Sequence, residues 1–316
     1  MRIVDAKRHV CDASETPASR LELGFRNFAI LQKPQPLPGG WGFAAQVRII
    51  TSSSHNPTNP MHSIRVHLLP TLTTPDDLSG RTVIVIDILR ATTTIAHALA
   101  AGARQVIACA ELDAARELAR SFPTGELLLG GERDGLPPEG FDLGNSPSEY
   151  TPERVGGKTI VFTTTNGTQA MLRCDRAQRV YLGAFVNLSA ICGALADCDN
   201  VDLLCAGTNG QITREDVLFA GAVVEKLTGD DSARPIKLND SARLAQDSWR
   251  SLDPKSADPQ RLTEALLQSR GGRNVSALGL QDDLATAAQI DRLDVVPILD
   301  LATMQITALR PEPQSR

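Results

Sequence analysis

Aromatic side chains are scarce: Phe, Trp and Tyr make up only 4% of these 316 residues. A core with so few rings must rest on Val, Ile, Leu and Ala, which suits a parallel sheet covered by Ala-rich helices. The six cysteines form no Cys-x-x-Cys pair. Most lie in apolar or helical-looking segments, where a thiol packs as a small hydrophobe, and a reducing cytoplasm suits them. No apolar run reaches the roughly 20 residues of a membrane span. The start "MRIVDAKRHVCDASE" has acids where a signal peptide needs an apolar stretch. Excess basic charge is lacking as well. The net charge is -5, and since residues 1–60 hold seven Lys and Arg against four Asp and Glu, the remainder carries -8. A nucleic-acid partner is therefore not expected.

What is present is ordinary globular composition, 42% hydrophobic and 22% charged, in a chain long enough for one large domain or two smaller ones. Residues 1–60 have mixed charge, little periodicity and a closing "TSSSHNPTNP", and are expected to be a disordered extension or an upstream translation artefact. Met61 opens a strand-like "HSIRVHLLP". From residue 83, apolar β-branched runs alternate with helical patterns. "VIVIDI", "QVIACA", "ELLLG", "KTIVFTT", "RVYLGAF" and "VDLLCAG" are the strands, and all but "ELLLG" lead into a helix. That alternation predicts an α/β fold: a three-layer, largely parallel or mixed sheet with helices on both faces. The working domain spans 61–310, as one body or as two lobes near 61–150 and 151–310. After Gly229 the pattern is mainly helical, and 311–316 form a frayed tail. The Ala-rich helical surface permits a homodimer without demanding one.

Ligands of open parallel sheets lie beyond the carboxyl ends of the strands, so the residues that follow each run carry the argument. After "VIVIDI" come Asp87, Arg90 and the hydroxyls of Thr92, Thr93 and Thr94 at a helix start, a combination suited to an oxyanion. Equally, one threonine could cap the helix and Arg90 pair with a surface acid. Two Thr-Asn-Gly turns, Thr165–Gly167 and Thr208–Gly210, follow two buried strands. Gly167 and Gly210 would permit positive φ, and Asn166 and Asn209 offer amides to a ligand or to their own turns. "TRED" has capping-box spacing from Thr213 to Asp216, which leaves Glu215 free to reach the loops above the sheet.

The loop "GGERDGLPPEGFDLGNSP", residues 130–147, holds Glu132, Arg133, Asp134, Glu139 and Asp142 on a segment stiffened by Pro137, Pro138 and Pro147. No histidine or cysteine is well placed as a nucleophile: His97 lies inside a helix, and His55, His62 and His67 lie in or near the extension. Carboxylates beside anion donors are what a hard divalent cation bound to a phosphate ester requires, Mg2+ preferring few carboxylates, retained waters and phosphate oxygens. Asp87 is followed by Ile88 and Leu89, without the second aspartate of aspartyl-phosphate enzymes. Gln211, not arginine, stands six residues after Cys205. Attack by metal-bound water is preferred to a covalent intermediate.

"VIDILRATTTI", "GERDGLPPEGFDLGNSP", "TTTNGT" and "CAGTNGQITREDVLFAGAVVEKL", in this order, resemble the 2-phosphosulfolactate phosphatase family, the ComB-like proteins, from about Met61 to about Leu301. The resemblance implies a Mg2+-dependent phosphatase converting 2-phospho-3-sulfolactate to 3-sulfolactate and phosphate, a step of coenzyme M synthesis, on an α/β fold unlike the common phosphatases. It marks Asp87, Arg90, Thr92, Thr93, Thr94, Glu132, Arg133, Asp142, Asn145, Thr165, Asn166, Asn209, Glu215 and Asp216. From chemistry, Asp87 and Glu132 are the first choices as metal ligands, with Asp216 next. Glu215 or Asp142 handles water, and Arg90 and Arg133 clamp phosphate and sulfonate. The alternatives are a phosphatase of the same mechanism acting on another small phosphorylated acid, and a non-catalytic anion-binding protein.

Overall fold

A computed structural model describes residues 61–229, 235–254 and 259–309. The N-terminal extension and the tail lie outside the described residues. Within them run the strands β1 (Ser63–His67), β2 (Thr82–Ile86), β3 (Gln105–Ala108), β4 (Leu127–Gly131), β5 (Thr159–Thr163), β6 (Arg179–Gly183), β7 (Asn200–Cys205), β8 (Lys237–Leu238), β9 (Pro297–Asp300) and β10 (Gln305–Ala308). The helices are α1 (Ala91–Ala100), α2 (Leu112–Arg120), α3 (Pro152–Val155), α4 (Gly167–Arg173), α5 (Leu188–Ala194) and α6 (Arg214–Thr228). After them come α7 (Asp240–Arg250), α8 (Pro259–Leu267), α9 (Arg270–Ala277) and α10 (Gln281–Ala287).

The strands form one sheet in the order β4-β5-β3-β10-β9-β6-β2-β7-β1-β8. Two parallel groups, β4-β5-β3 and β6-β2-β7-β1-β8, are joined by the antiparallel hairpin β9–β10, which pairs antiparallel with β6 on one side and β3 on the other. The α/β layers are those the alternating pattern predicts, and the sheet is of the mixed kind. Its groups do not divide near residue 150, since β1 and β2 stand with β6 and β7 while β5 stands with β3 and β4. Because an odd number of antiparallel steps separates them, the groups run in opposite senses. A twist of roughly 20–25° per neighbour, over the five steps from β2 to β5, turns the reversed group by about 100–125° and swings its carboxyl ends toward those of the other. The loops after β2, β7, β4 and β5 can therefore face one cleft.

Every residue of β2 and β5 is buried, which explains their unbroken apolar runs. Three of the few aromatic rings pack together: Phe185 lies edge-on to Phe219 of α6 at 5.3 Å and stacked on Trp249 of α7 at 5.7 Å. Cys174, Cys192, Cys198 and Cys205 are buried free thiols. Burial pushes Cys174 and Cys192 up to about 12 and Cys205 well above the ordinary range. The thiols thus pack as apolar side chains rather than act as nucleophiles.

One buried charge ties the central strands at their amino-terminal side. Asp202 on β7 accepts from Arg65 Nε at 2.7 Å, lies 2.6 Å from His67 Nε2, and also receives Arg81 Nε. Burial pushes its carboxyl up, but His67, Arg81 and Arg65 together hold it below its ordinary value. A lowered carboxyl stabilises the fold above the unfolded value near 3.8 and loses that contribution as pH falls below it. Asp202→Ala is expected to cost about 1–3 kcal/mol in urea unfolding at pH 7, because it removes the acceptor of two arginines that remain partly exposed to water. The difference from wild type should shrink below pH 4, and an unchanged midpoint would assign the pairs no net role.

Candidate active site

Asp87, the first residue after β2, is held between two helix starts. Ala91 N–H at the head of α1 donates to its Oδ1 at 3.3 Å, and the N–H of Gly167 at the head of α4 also reaches the carboxylate. Glycine is required at 167 for a steric reason: a Cβ there would stand 2.8 Å from both Asp87 Oδ2 and Ala91 Cβ. Its φ is not positive, so the expectation of a left-handed turn holds for Gly210 (φ 69°) but not for Gly167.

Glu132, the first residue after β4, spends both oxygens on backbone donors: Oε1 on Thr165 N–H and Oε2 on Gly135 N–H, each at 2.8 Å. The two Thr-Asn-Gly turns meet each other, Asn209 N–H donating to Asn166 Oδ1 at 3.0 Å. Asn145 is buried, and its Oδ1 has no hydrogen-bond partner. These residues line a cavity of about 340 Å³ together with Asp134, Thr208 and a wall from α9 and its end that includes Gly271, Asn274, Val275 and Leu278.

The cavity is acidic. Asp87, Glu132 and Asp134 line it against a single lining cation, Arg90, whose buried guanidinium donates to Asp283 Oδ2 at 2.8 Å and Gly135 O at 2.7 Å. Burial pushes Asp87 up to about 7, the Ala91 and Gly167 N–H groups pulling against it and the charges of Glu132 and Glu215 adding to it. Burial likewise raises Glu215 and Asp216. Glu215 stands behind Gly271, where a Cβ would collide with its Oε1, and its Oε2 has no partner.

Several residues marked by the sequence are not brought to the cavity wall. Arg133 donates to Glu132 O at 2.8 Å and Ala110 O at 2.5 Å, fastening the loop to the end of β3 instead of facing a ligand. Asp142 is exposed and accepts from Leu129 N–H at 2.8 Å. Asp216 is buried and accepts from Ile88 N–H and Gly207 N–H, both at 2.9 Å, tying the loop after β2 to the loop after β7. The hydroxyls of Thr92, Thr93 and Thr94 donate to the carbonyls of Asp87, Ile88 and Asn145 and are fully buried. Thr213 makes no cap to α6. Sequence reading placed Asp134 and Thr208 in their loops without giving either a role, and it passed over the α9 wall, for which the Arg-flanked Gly-Gly of "SRGGRN" was the available signal.

The profile of the 2-phosphosulpholactate phosphatase family matches residues 67–301. The chain belongs to this family. Proteins named probable 2-phosphosulfolactate phosphatase are similar to it across most of their own length. That of Symbiobacterium thermophilum is 42% identical over 224 residues, 71% of this chain and 93% of that protein. The one from Caldanaerobacter subterraneus subsp. tengcongensis is 38% identical over 71% and 89%, and that of Deinococcus radiodurans 39% identical over 75% and 92%. The family is one of phosphoric monoester hydrolases, and no helix among the described residues is long and apolar enough to cross a membrane.

A small hard cation fits this family member's cavity. The donors at hand are all oxygen, namely Asp87, Glu132 and the unpartnered Asn145 Oδ1, and two carboxylates with a neutral amide leave positions for water and phosphate oxygens. Among the described residues there is no group of three or more His, Cys, Asp or Glu poised to hold a metal.

Asp87 carries a testable sign. A carboxyl raised from 3.8 to about 7 is neutral in the fold where it would be charged in the unfolded chain. The metal-free protein should therefore lose stability as pH rises from about 4 through 7, by on the order of 4 kcal/mol from this group. Asp87→Asn is expected to flatten that fall and to raise the melting temperature at pH 8; calorimetry in chelator finding no gain would exclude the buried acid as the cause. Arg133→Ala should lower the melting temperature without a selective rise in KM, which steady-state kinetics on the same preparation checks.

Proposed function

We propose that the protein is a Mg2+-dependent phosphatase that hydrolyses 2-phospho-3-sulfolactate to 3-sulfolactate and phosphate, the reaction type of coenzyme M synthesis. The observation that carries the reading is an acid-lined cavity whose one lining cation, Arg90, is already paired with Asp283, in a chain matched by this family over residues 67–301. A phosphate monoester cannot enter such a site favourably unless a cation intervenes. In the same reading it works in the cytoplasm on a small phosphorylated acid and needs neither nucleic acid nor membrane.

Asp87 and Glu132 would hold the ion, and Asn145 Oδ1 is the next oxygen available to it. When bound, Mg2+ polarises the phosphoryl oxygen and activates water. The N–H groups of Ala91 and Gly167 keep the Asp87 carboxylate aimed, and those of Thr165 and Gly135 do the same for Glu132. Glu215, raised by burial and with Oε2 unspent, is the group able to hold or accept a proton at the α9 wall. Leu89, Val275 and Leu278 restrict water on the remaining side.

Phosphate release from 2-phospho-3-sulfolactate, measured with Mg2+ and again after chelation, tests this. Turnover should fall at least about a hundredfold on chelation, and Asp87→Asn or Glu132→Gln should lower kcat by a similar factor with the fold intact. Chelator-insensitive turnover would overturn the metal assignment, and turnover of other phospho-acids in preference would overturn the substrate.

A further inference from the structure

Arg90, on the wall of the acidic cavity, is ion-paired with Asp283, and Arg133, which does not line that cavity, holds two backbone carbonyls. A substrate with more than one acid group must find positive charge elsewhere. Beside the acidic cavity lies a second one of about 530 Å³, and Asn274 lines both. Its walls carry Arg214, Arg270 and Arg273 and no acid.

Each of the three guanidinium groups rests on a neutral oxygen: Arg214 Nη1 on Gln268 Oε1 at 3.2 Å, Arg270 Nη1 on Gln211 Oε1, and Arg273 Nη1 on Gln268 O. None of them is ion-paired with an acid among the described residues. Charge placement on the helix runs against its dipole: α9 has Arg270 at its first position, Arg273 in its first turn and no acid there. The first turn of α6 shows the usual order, with Glu215 and Asp216. Three unneutralised cations gathered at a positive helix end repel one another, and an anion settling among them would relieve that repulsion. Arginine forks match the planar or tetrahedral oxygens of carboxylate and sulfonate groups. Arg270 directly precedes Gly271, which lines the main cavity, and Asn274 lines both, so the two sites adjoin.

We propose that Arg270 and Arg273, assisted by Arg214, form the subsite for the second acid group of the substrate, a sulfonate on the carbon next to the phosphorylated one. This rests on the phosphatase reading above. In it Gln211 and Gln268 are placeholders that release the guanidinium groups to the incoming anion.

The experiment compares full-length wild type with Arg270→Gln/Arg273→Gln, and separately with Arg214→Gln, on 2-phospho-3-sulfolactate and on 2-phospholactate, which has a methyl group where the other has its sulfonate arm. The ratio of kcat/KM between the two substrates should fall at least tenfold in the double variant, through KM, and less in Arg214→Gln. A ratio equal to wild type overturns the subsite, and so does a parallel loss on both substrates. Calorimetric titration with sulfoacetate is the second readout and needs no turnover. Binding weakened at least tenfold in the double variant supports the subsite even if neither phospho-acid is hydrolysed, an outcome that would refute only the phosphatase reading. Equal affinity in the two proteins refutes the subsite.

Discussion

Several carboxylates are gathered out of water at one end of the sheet, and the surroundings of the site can be understood as ways of tolerating them. Asp87 sits between the starts of α1 and α4, Glu132 is gripped by two backbone N–H groups, and Asp216 by two more. Helix starts and turn amides are the donors that can face an acid without neutralising it with a basic side chain. Close approach follows from the same need. Gly167 must lack a Cβ so that α4 can reach Asp87, and Gly271 must lack one so that α9 can cover Glu215. Carboxylates gathered out of water in this way are a standing cost to the fold, and in the proposed reading a cation bound with an anionic ester would offset it.

The C-terminal helices belong to this arrangement rather than decorating it. Asp283 on α10 receives Arg90 Nη1 at 2.8 Å and Ser146 Oγ at 2.5 Å, so one buried carboxylate joins α10 to the loop after β2 and to the end of the long loop after β4. Arg90 continues the chain to Gly135 O, whose neighbouring N–H holds Glu132. Removing one partner of a buried pair of this kind is costly, because the other charge is left uncompensated. The same pair neutralises the charge of Arg90 at the cavity wall.

Much of this was legible as pattern. β-branched runs between helical segments announce a layered α/β sheet, and residues directly after those runs fall at strand ends, so Asp87, Glu132, Thr165, Asn166 and Asn209 could be nominated from their place in line. The hairpin β9–β10 escaped because β10 is four residues long and only partly buried, so it has no run of its own. The arginines misled for a different reason. A guanidinium beside acids reads as a ligand clamp, yet the backbone carbonyls that absorb Arg133, Glu132 O and Ala110 O, carry no signature in the side-chain sequence.

The order of residues by itself determined the class of fold, the strand ends and the supply of oxygen donors, since these follow from local periodicity and from the residue types placed just past each strand. Only tertiary structure decided which donors share a wall. Two oppositely directed strand groups are joined by a hairpin at the far end of the chain, and α9 supplies residues about 140 positions beyond Glu132. Whether a charged side chain faces a ligand depends on which nearby oxygen or N–H reaches it first, and that is set by packing between segments distant in sequence.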